Sequence, residues 1–132
     1  MRYLCLVYVD EKTLDALPKA EMDALVDESL DYDEVLRHGG HYVASNALQP
    51  VQTATTVRVR NGQVSTTDGP FAETKEQLGG FILIEARDLN DALRLAAKIP
   101  ASRLGRVEVR PVRELKHSSP RAREGEGHAE AS

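Results

Sequence analysis

Residues 67–86 read T-D-G-P-F-A-E-T-K-E-Q-L-G-G-F-I-L-I-E-A, and the fold turns on a change of character inside this stretch. Asp68-Gly69-Pro70 cannot run on as regular strand or helix. Gly69 is free to take positive φ, Pro70 fixes its own φ and donates no amide hydrogen, and the residue before a proline is pushed out of the α region. From Gly80 to Ala86 the chain is apolar on both sides of the strand alternation, the mark of a central strand covered on both faces. Between turn and strand, Glu73, Lys75 and Glu76 crowd ionisable groups together.

A second two-faced strand stands at residues 3–9, with Tyr3, Cys5, Val7 and Val9 on one side and Leu4, Leu6 and Tyr8 on the other. From about Pro18 to His38 the period becomes helical. Met22, Leu25, Ser29, Tyr32 and Leu36 step by three and four, acids fill most of the remaining surface, and Gly39-Gly40 ends the helix. A short apolar segment, 41–44, leads into a hairpin of 55–60 and 63–66 around Asn61-Gly62, the strongest short-range signal for a two-residue turn. After the strand at 80–86, Asp88 is placed to cap a helix that Pro100 stops. A last strand at 107–112 alternates plainly, and its Pro111 suits an edge or a strand end.

The order strand, helix, strand, hairpin, strand, helix, strand predicts a ferredoxin-like α+β plait, βαββαβ, with the hairpin inserted in its middle. Two helices cover only one face of such a sheet. The two-faced strands therefore call for a second copy of the chain on the other face, which predicts a homodimer. Residues 1–113 form the expected domain, and the polar run 114–132 reads as a disordered tail.

With 132 residues and 41% hydrophobic content the chain holds one core. Its 17 basic and 21 acidic residues give a net charge of -4, the wrong sign for holding phosphate backbones, and with no Trp and two Phe there is little to stack on bases. Nucleic acid is not an expected partner. No apolar run approaches a membrane span and no secretory leader is legible, so a cytoplasmic location is expected. The single cysteine, Cys5, excludes an internal disulfide and sits in a strand as a core thiol.

Asp68-Gly69-Pro70-Phe71-Ala72-Glu73-Thr74-Lys75-Glu76-Gln77-Leu78-Gly79-Gly80-Phe81 resembles the signature of the DGPF branch of the YCII-related proteins. Residues 1–9, Leu48-Gln49-Pro50, 54–58 and 107–112 read like that branch too. The resemblance implies a dimeric α/β barrel, and a regulatory or stress role beside extracytoplasmic-function sigma factors. It also implies, for better-studied relatives, a His on the first helix working with an Asp near the end of the second. Here those positions fall near Ser29 and at Ile99, so the pair is not carried over.

The candidate chemistry lies in the quoted stretch. Asp68 can accept backbone hydrogens in its own turn or face a cleft as a general base, and Glu73 is the second candidate base. Lys75 between Glu73 and Glu76 can hold a polar ligand or tune an acid, as against a solvated charged loop. Phe71 either plugs the core or stacks on a ligand. His41 is a candidate ligand contact, and Arg58 can meet an anion from the hairpin. His38 and His41, three apart across Gly-Gly, have no Cys, Asp or Glu at metal-site spacing, so no metal is expected. No phosphate loop, nucleophile elbow or HExxH motif is present, and no cofactor is expected. The expected activity is binding of a small polar molecule in a cleft near D-G-P-F, with acid–base chemistry at Asp68 or Glu73. The alternative is a protein-interaction module for a sigma factor.

Overall fold

The computed structural model describes residues 1–118. Strands β1 (Arg2–Val9), β2 (Tyr42–Ala47), β5 (Gln77–Glu85) and β6 (Arg106–Pro111) form one antiparallel sheet in the order β2-β5-β1-β6. Helices α2 (Lys19–His38) and α3 (Leu89–Ala96) make the two crossovers, and β3 (Thr55–Arg60) with β4 (Gln63–Asp68) forms a separate two-stranded sheet. This is the expected ferredoxin-like plait with its inserted hairpin. One short helix, α1 (Glu11–Asp15), has no counterpart in the sequence reading. Of the tail expected at 114–132, residues 119–132 lie outside the described residues.

The core sits between the helices and one face of the sheet. Tyr3, Cys5, Ile82 and Ile84 from the strands, with Ala86 just after β5, meet Leu36 of α2 and Ala92, Leu95 and Ala96 of α3. Asp88 caps α3 as expected, its Oδ1 accepting the Asp91 amide at 2.8 Å. Asp91, 4% exposed, is satisfied by the Arg87 amide at 3.0 Å and the Arg94 guanidinium at 2.7 Å. Those hydrogen bonds, the amide first, hold its carboxyl well below the usual carboxylate range. Leu4, Leu6, Tyr8, Phe81 and Leu83 point to the other face, where no helix of the described residues lies, and each is half-buried.

The hairpin turns at Asn61 and Gly62, both at positive φ as a type I′ turn requires. Its last residue, Asp68, ends the strand because Gly69 turns out at φ 95. Phe71 follows at 91% exposure and fills no part of the core, which corrects the core-plug reading. The physical reason is that β3 and β4 pair only with each other, so the chain leaving Gly69-Pro70 is carried away from the main sheet.

Candidate functional site

The chain returns to the main sheet through a tight turn. Thr74 Oγ1 donates to the Glu76 carbonyl at 2.6 Å, and Gln77 Nε2 donates to the Thr74 carbonyl at 2.6 Å. Gln77 Oε1 then accepts the Glu11 amide at 3.0 Å, and Glu11 Oε2 accepts the Val51 amide at 3.0 Å. Three distant segments are thereby tied together: the start of β5, the first turn of α1 and the loop after β2. Just beyond, the β1–β5 register slips between Val7 and Tyr8, and Gly79 and Gly80 bring the strands close. A Cβ on Gly80 would lie 2.8 Å from the Asn46 carbonyl oxygen.

These ties frame a cleft of about 530 Å³ between α2 and the sheet. Its floor is Gly79, Gly80 and Ile82 of β5 with Val7 and Val9 of β1. Its roof is the first two-thirds of α2, where Met22, Leu25 and Ser29 of the apolar stripe face open space and Tyr32 lies between the cleft and the core. Only Leu36, at the far end of that stripe, is buried. Val26 and Leu30 stand at the mouth, 48% and 60% exposed. Ile99 and Pro100 close the inner end.

Several polar groups in the cleft are engaged with the protein itself. Ser29 Oγ donates to the Leu25 carbonyl of its own helix at 2.8 Å. Tyr32 donates its hydroxyl to the Leu95 carbonyl at 2.6 Å, and burial pushes its phenol above the ordinary value, so it stays a donor. Ser45 on β2 donates to Asp33 Oδ2 at 2.9 Å. A serine hydroxyl has one hydrogen, so the 2.9 Å contact between Tyr42 and Ser45 runs from the tyrosine hydroxyl to Ser45 Oγ. The Arg37 guanidinium lies 4.1 Å from the Tyr42 ring centroid and steadies it.

The candidates named from the sequence fall in three separate places. Asp68, Glu73 and Lys75 are exposed on the hairpin end and the loop after it, with Phe71 beside them. Among the described residues none of their side chains makes a hydrogen bond or ion pair. Glu76 turns instead toward β6, its Oε1 3.2 Å from Arg106 Nε. Arg58 faces solvent opposite Ser65 in the hairpin. His41 is at the far end of the sheet, its Nδ1 2.8 Å from the Glu85 carbonyl, in a shallow depression shared with Arg87, Asp91 and Arg94. The nine residues of β5 separate it from Glu76 by roughly 30 Å. None of these candidates lines the cleft. Among the described residues no cluster of three or more His, Cys, Asp or Glu is placed to hold a metal, and no helix is long and apolar enough to cross a membrane.

Ser29 and Ile99, the positions the resemblance set against the relatives' His and Asp, both line the cleft. A hydroxyl tied to its own helix and an aliphatic side chain make no acid–base pair there. Asp33 and Ser45 escaped the sequence reading. The signal for Asp33 was an acid one helical turn beyond Ser29, on the edge of the apolar stripe rather than opposite it.

A split βαβ sheet with a cleft under its first long helix places the chain among the small ferredoxin-like α+β proteins. The family is narrower: residues 1–116 match the YCII-related domain, and the chain belongs to that family. It is 35% identical over 114 residues to an uncharacterized protein of Rhizobium meliloti (strain 1021), covering 85% of this chain and 92% of that one. Among solved structures it is similar to 5-chloro-2-hydroxyhydroquinone dehydrochlorinase (TftG) from Burkholderia phenoliruptrix AC1100 in complex with 2,5-dihydroxybenzoquinone. The TM-score is 0.51 at 16% identity, over 90% of this chain and all of that one, a likeness of fold.

Proposed function

We propose that this protein binds a small ring-sized molecule in the cleft between α2 and the sheet, and does so as a homodimer. The observation that carries the reading is the cleft itself: about 530 Å³, walled by aliphatic side chains and furnished with a few fixed polar groups. That volume is within the usual range for small-molecule sites, roughly 300–1,000 Å³, and its make-up is of the usual kind. The D-G-P-F stretch serves the site through its later residues, since Gly79 and Gly80 form the floor and Gln77 anchors Glu11 at the rim. The TftG complex, whose ligand is a quinone, supports a fold of this shape taking up a ring. In this reading Asp68, Glu73 and Lys75 reach a ligand only through the assembly, from the exposed loop of one protomer toward its neighbour.

The test is amide chemical-shift mapping with a small aromatic such as benzyl alcohol. Shifts concentrated at Ser29, Ser45 and Gly80 are expected. Shifts confined to residues 55–76, or none at millimolar probe, would rule the cleft out. For the dimer, the half-buried apolar side chains of the open sheet face are the ground, and Leu6→Glu should lower the mass seen by light scattering. A monomeric mass for the unmodified protein would remove that part.

A second reading, docking of a protein partner such as a sigma factor, is favoured by one specific feature. Val57, Val59 and Val64 lie on one face of the hairpin, exposed by 62%, 53% and 68%, with Phe71 close behind in sequence. Val57→Ser with Val64→Ser would abolish pull-down of such a partner while leaving the cleft shifts unchanged.

A further inference from the structure

The cleft carries one sign of charge. Glu11, Asp15 and Asp33 line it, and among the described residues no Lys, Arg or His does. The three acids are not equivalent. Glu11 Oε2 is engaged by the Val51 amide, and Asp15 stands exposed at the rim. Asp33 is partly buried on the roof, and Ser45 fixes its orientation through Oδ2, with Tyr42 behind Ser45. Its Oδ1 takes no hydrogen bond from the described residues. A carboxylate oriented by one hydroxyl, itself held by a second, with one oxygen unengaged beside apolar walls, is a fixed acceptor waiting for a donor.

We infer that the cleft is selective for a small organic amine, whose protonated nitrogen donates to Asp33 Oδ1 while its ring or alkyl body lies against Leu25, Leu30, Ile82 and Ile99. The inference rests on the cleft being the ligand site proposed above. The charge balance decides among ligand classes. An anion would enter among three like charges with no counter-ion to receive it, and partial burial weakens the screening that would otherwise excuse this. An alcohol supplies the donor but not the charge, and charge-assisted hydrogen bonds are about twice as strong as neutral ones. An ammonium head supplies both. Ser45 and Tyr42 are positioning residues in this scheme: they hold the carboxylate and do not touch the ligand.

Benzylammonium, benzyl alcohol and benzoate share one ring and a single polar arm or group, and carry charges of opposite sign or none. Each is titrated into the full chain, following the Ser29, Ser45 and Gly80 amides, for the wild type, Asp33→Asn and Ser45→Ala. Asn keeps the volume and an acceptor for Ser45 but removes the charge. Benzylammonium should bind tightest, roughly fivefold better than the alcohol, with benzoate weakest. Asp33→Asn should bring the amine down to the level of the alcohol. Ser45→Ala should weaken the amine more than the alcohol, a difference that simple loosening of the fold would not produce. Benzoate binding as well as the amine, or an amine-to-alcohol ratio unmoved by Asp33→Asn, overturns the inference. Equal binding of all three would leave the cleft standing and sink the amine; no shift with any of them would sink both.

Discussion

Leu36 and Leu30 lie on the same helix less than two turns apart, and their truncation should have opposite consequences. Leu36 is 1% exposed, packed between α2 and the sheet, whereas Leu30 is 60% exposed at the mouth of the cleft. Leu36→Ala removes three buried carbons, about 2.4 kcal/mol at 0.8 kcal/mol each, and leaves part of the void behind. A loss of about 3 kcal/mol is expected, a large share of the roughly 6–17 kcal/mol that holds a domain of this size. Leu30→Ala deletes a side chain that touches little and places a better helix former on α2, so stability should change by no more than about 0.5 kcal/mol. Urea unfolding followed by circular dichroism measures both, with unchanged slopes confirming that the midpoint shifts are shifts in stability. In the same samples, Leu30→Ala should weaken benzyl alcohol binding by a few-fold while Leu36→Ala does not at temperatures where it is folded. Equal destabilisation by the two substitutions would refute the division of α2 into a core-forming last turn around Leu36 and a cleft-forming stretch before it.

Gly105→Ala tests the close approach of β6 to β1. The new Cβ would fall 1.9 Å from the Tyr8 carbonyl oxygen, so the strands must separate, at a cost of about 2 kcal/mol or more by urea unfolding; an unchanged midpoint would show that the contact is not made. Asp91 fixes the acid limb of stability. Its folded-state pKa is depressed, so its contribution is fully present above the ordinary carboxylate pKa near 4 and lost as pH falls below it. Asp91→Asn should flatten the stability–pH curve between about pH 4 and pH 2, and an unaltered slope would discount the Arg87 and Arg94 contacts. Burial pushes the Cys5 thiol up to about 11, and the residue is fully enclosed, so native protein at pH 8 should react with iodoacetamide orders of magnitude more slowly than unfolded protein; comparable rates would contradict the core placement.

Much of the fold was legible because its strands and helices announce themselves locally. The two-faced runs at 3–9 and 80–86 became the adjacent central strands β1 and β5, the Asn61-Gly62 pair made its turn, and Asp88 capped its helix. Helix α1 was missed because five residues following Asp10 carry no full period of apolar spacing, and its cap, the Asp10 carboxylate on the Lys12 amide, looks in sequence like any acidic loop. Phe71 was misjudged for a related reason: an apolar side chain after a turn predicts burial only if the chain returns to the sheet at once. Here it returns only at Gln77.

The site was harder to see than the fold, since a stripe that lines a cleft and a stripe that fills a core have the same spacing. Met22, Leu25, Ser29, Tyr32 and Leu36 read as one face, and nothing in their order says that part of the sheet beneath the first four is glycine. The glycines say it. Gly79 and Gly80 add no side chain to the floor, and the space under Leu25 and Ser29 is open, while Ile84, further along β5, joins Leu36 in the core. The quoted stretch thus contributes through what it leaves out as much as through its charges. Its ionisable residues were weighed for chemistry because side chains carry chemistry, but the cleft is made where the stretch ends in two residues without any, opposite an acid on the helix that the acidic surface around it had hidden.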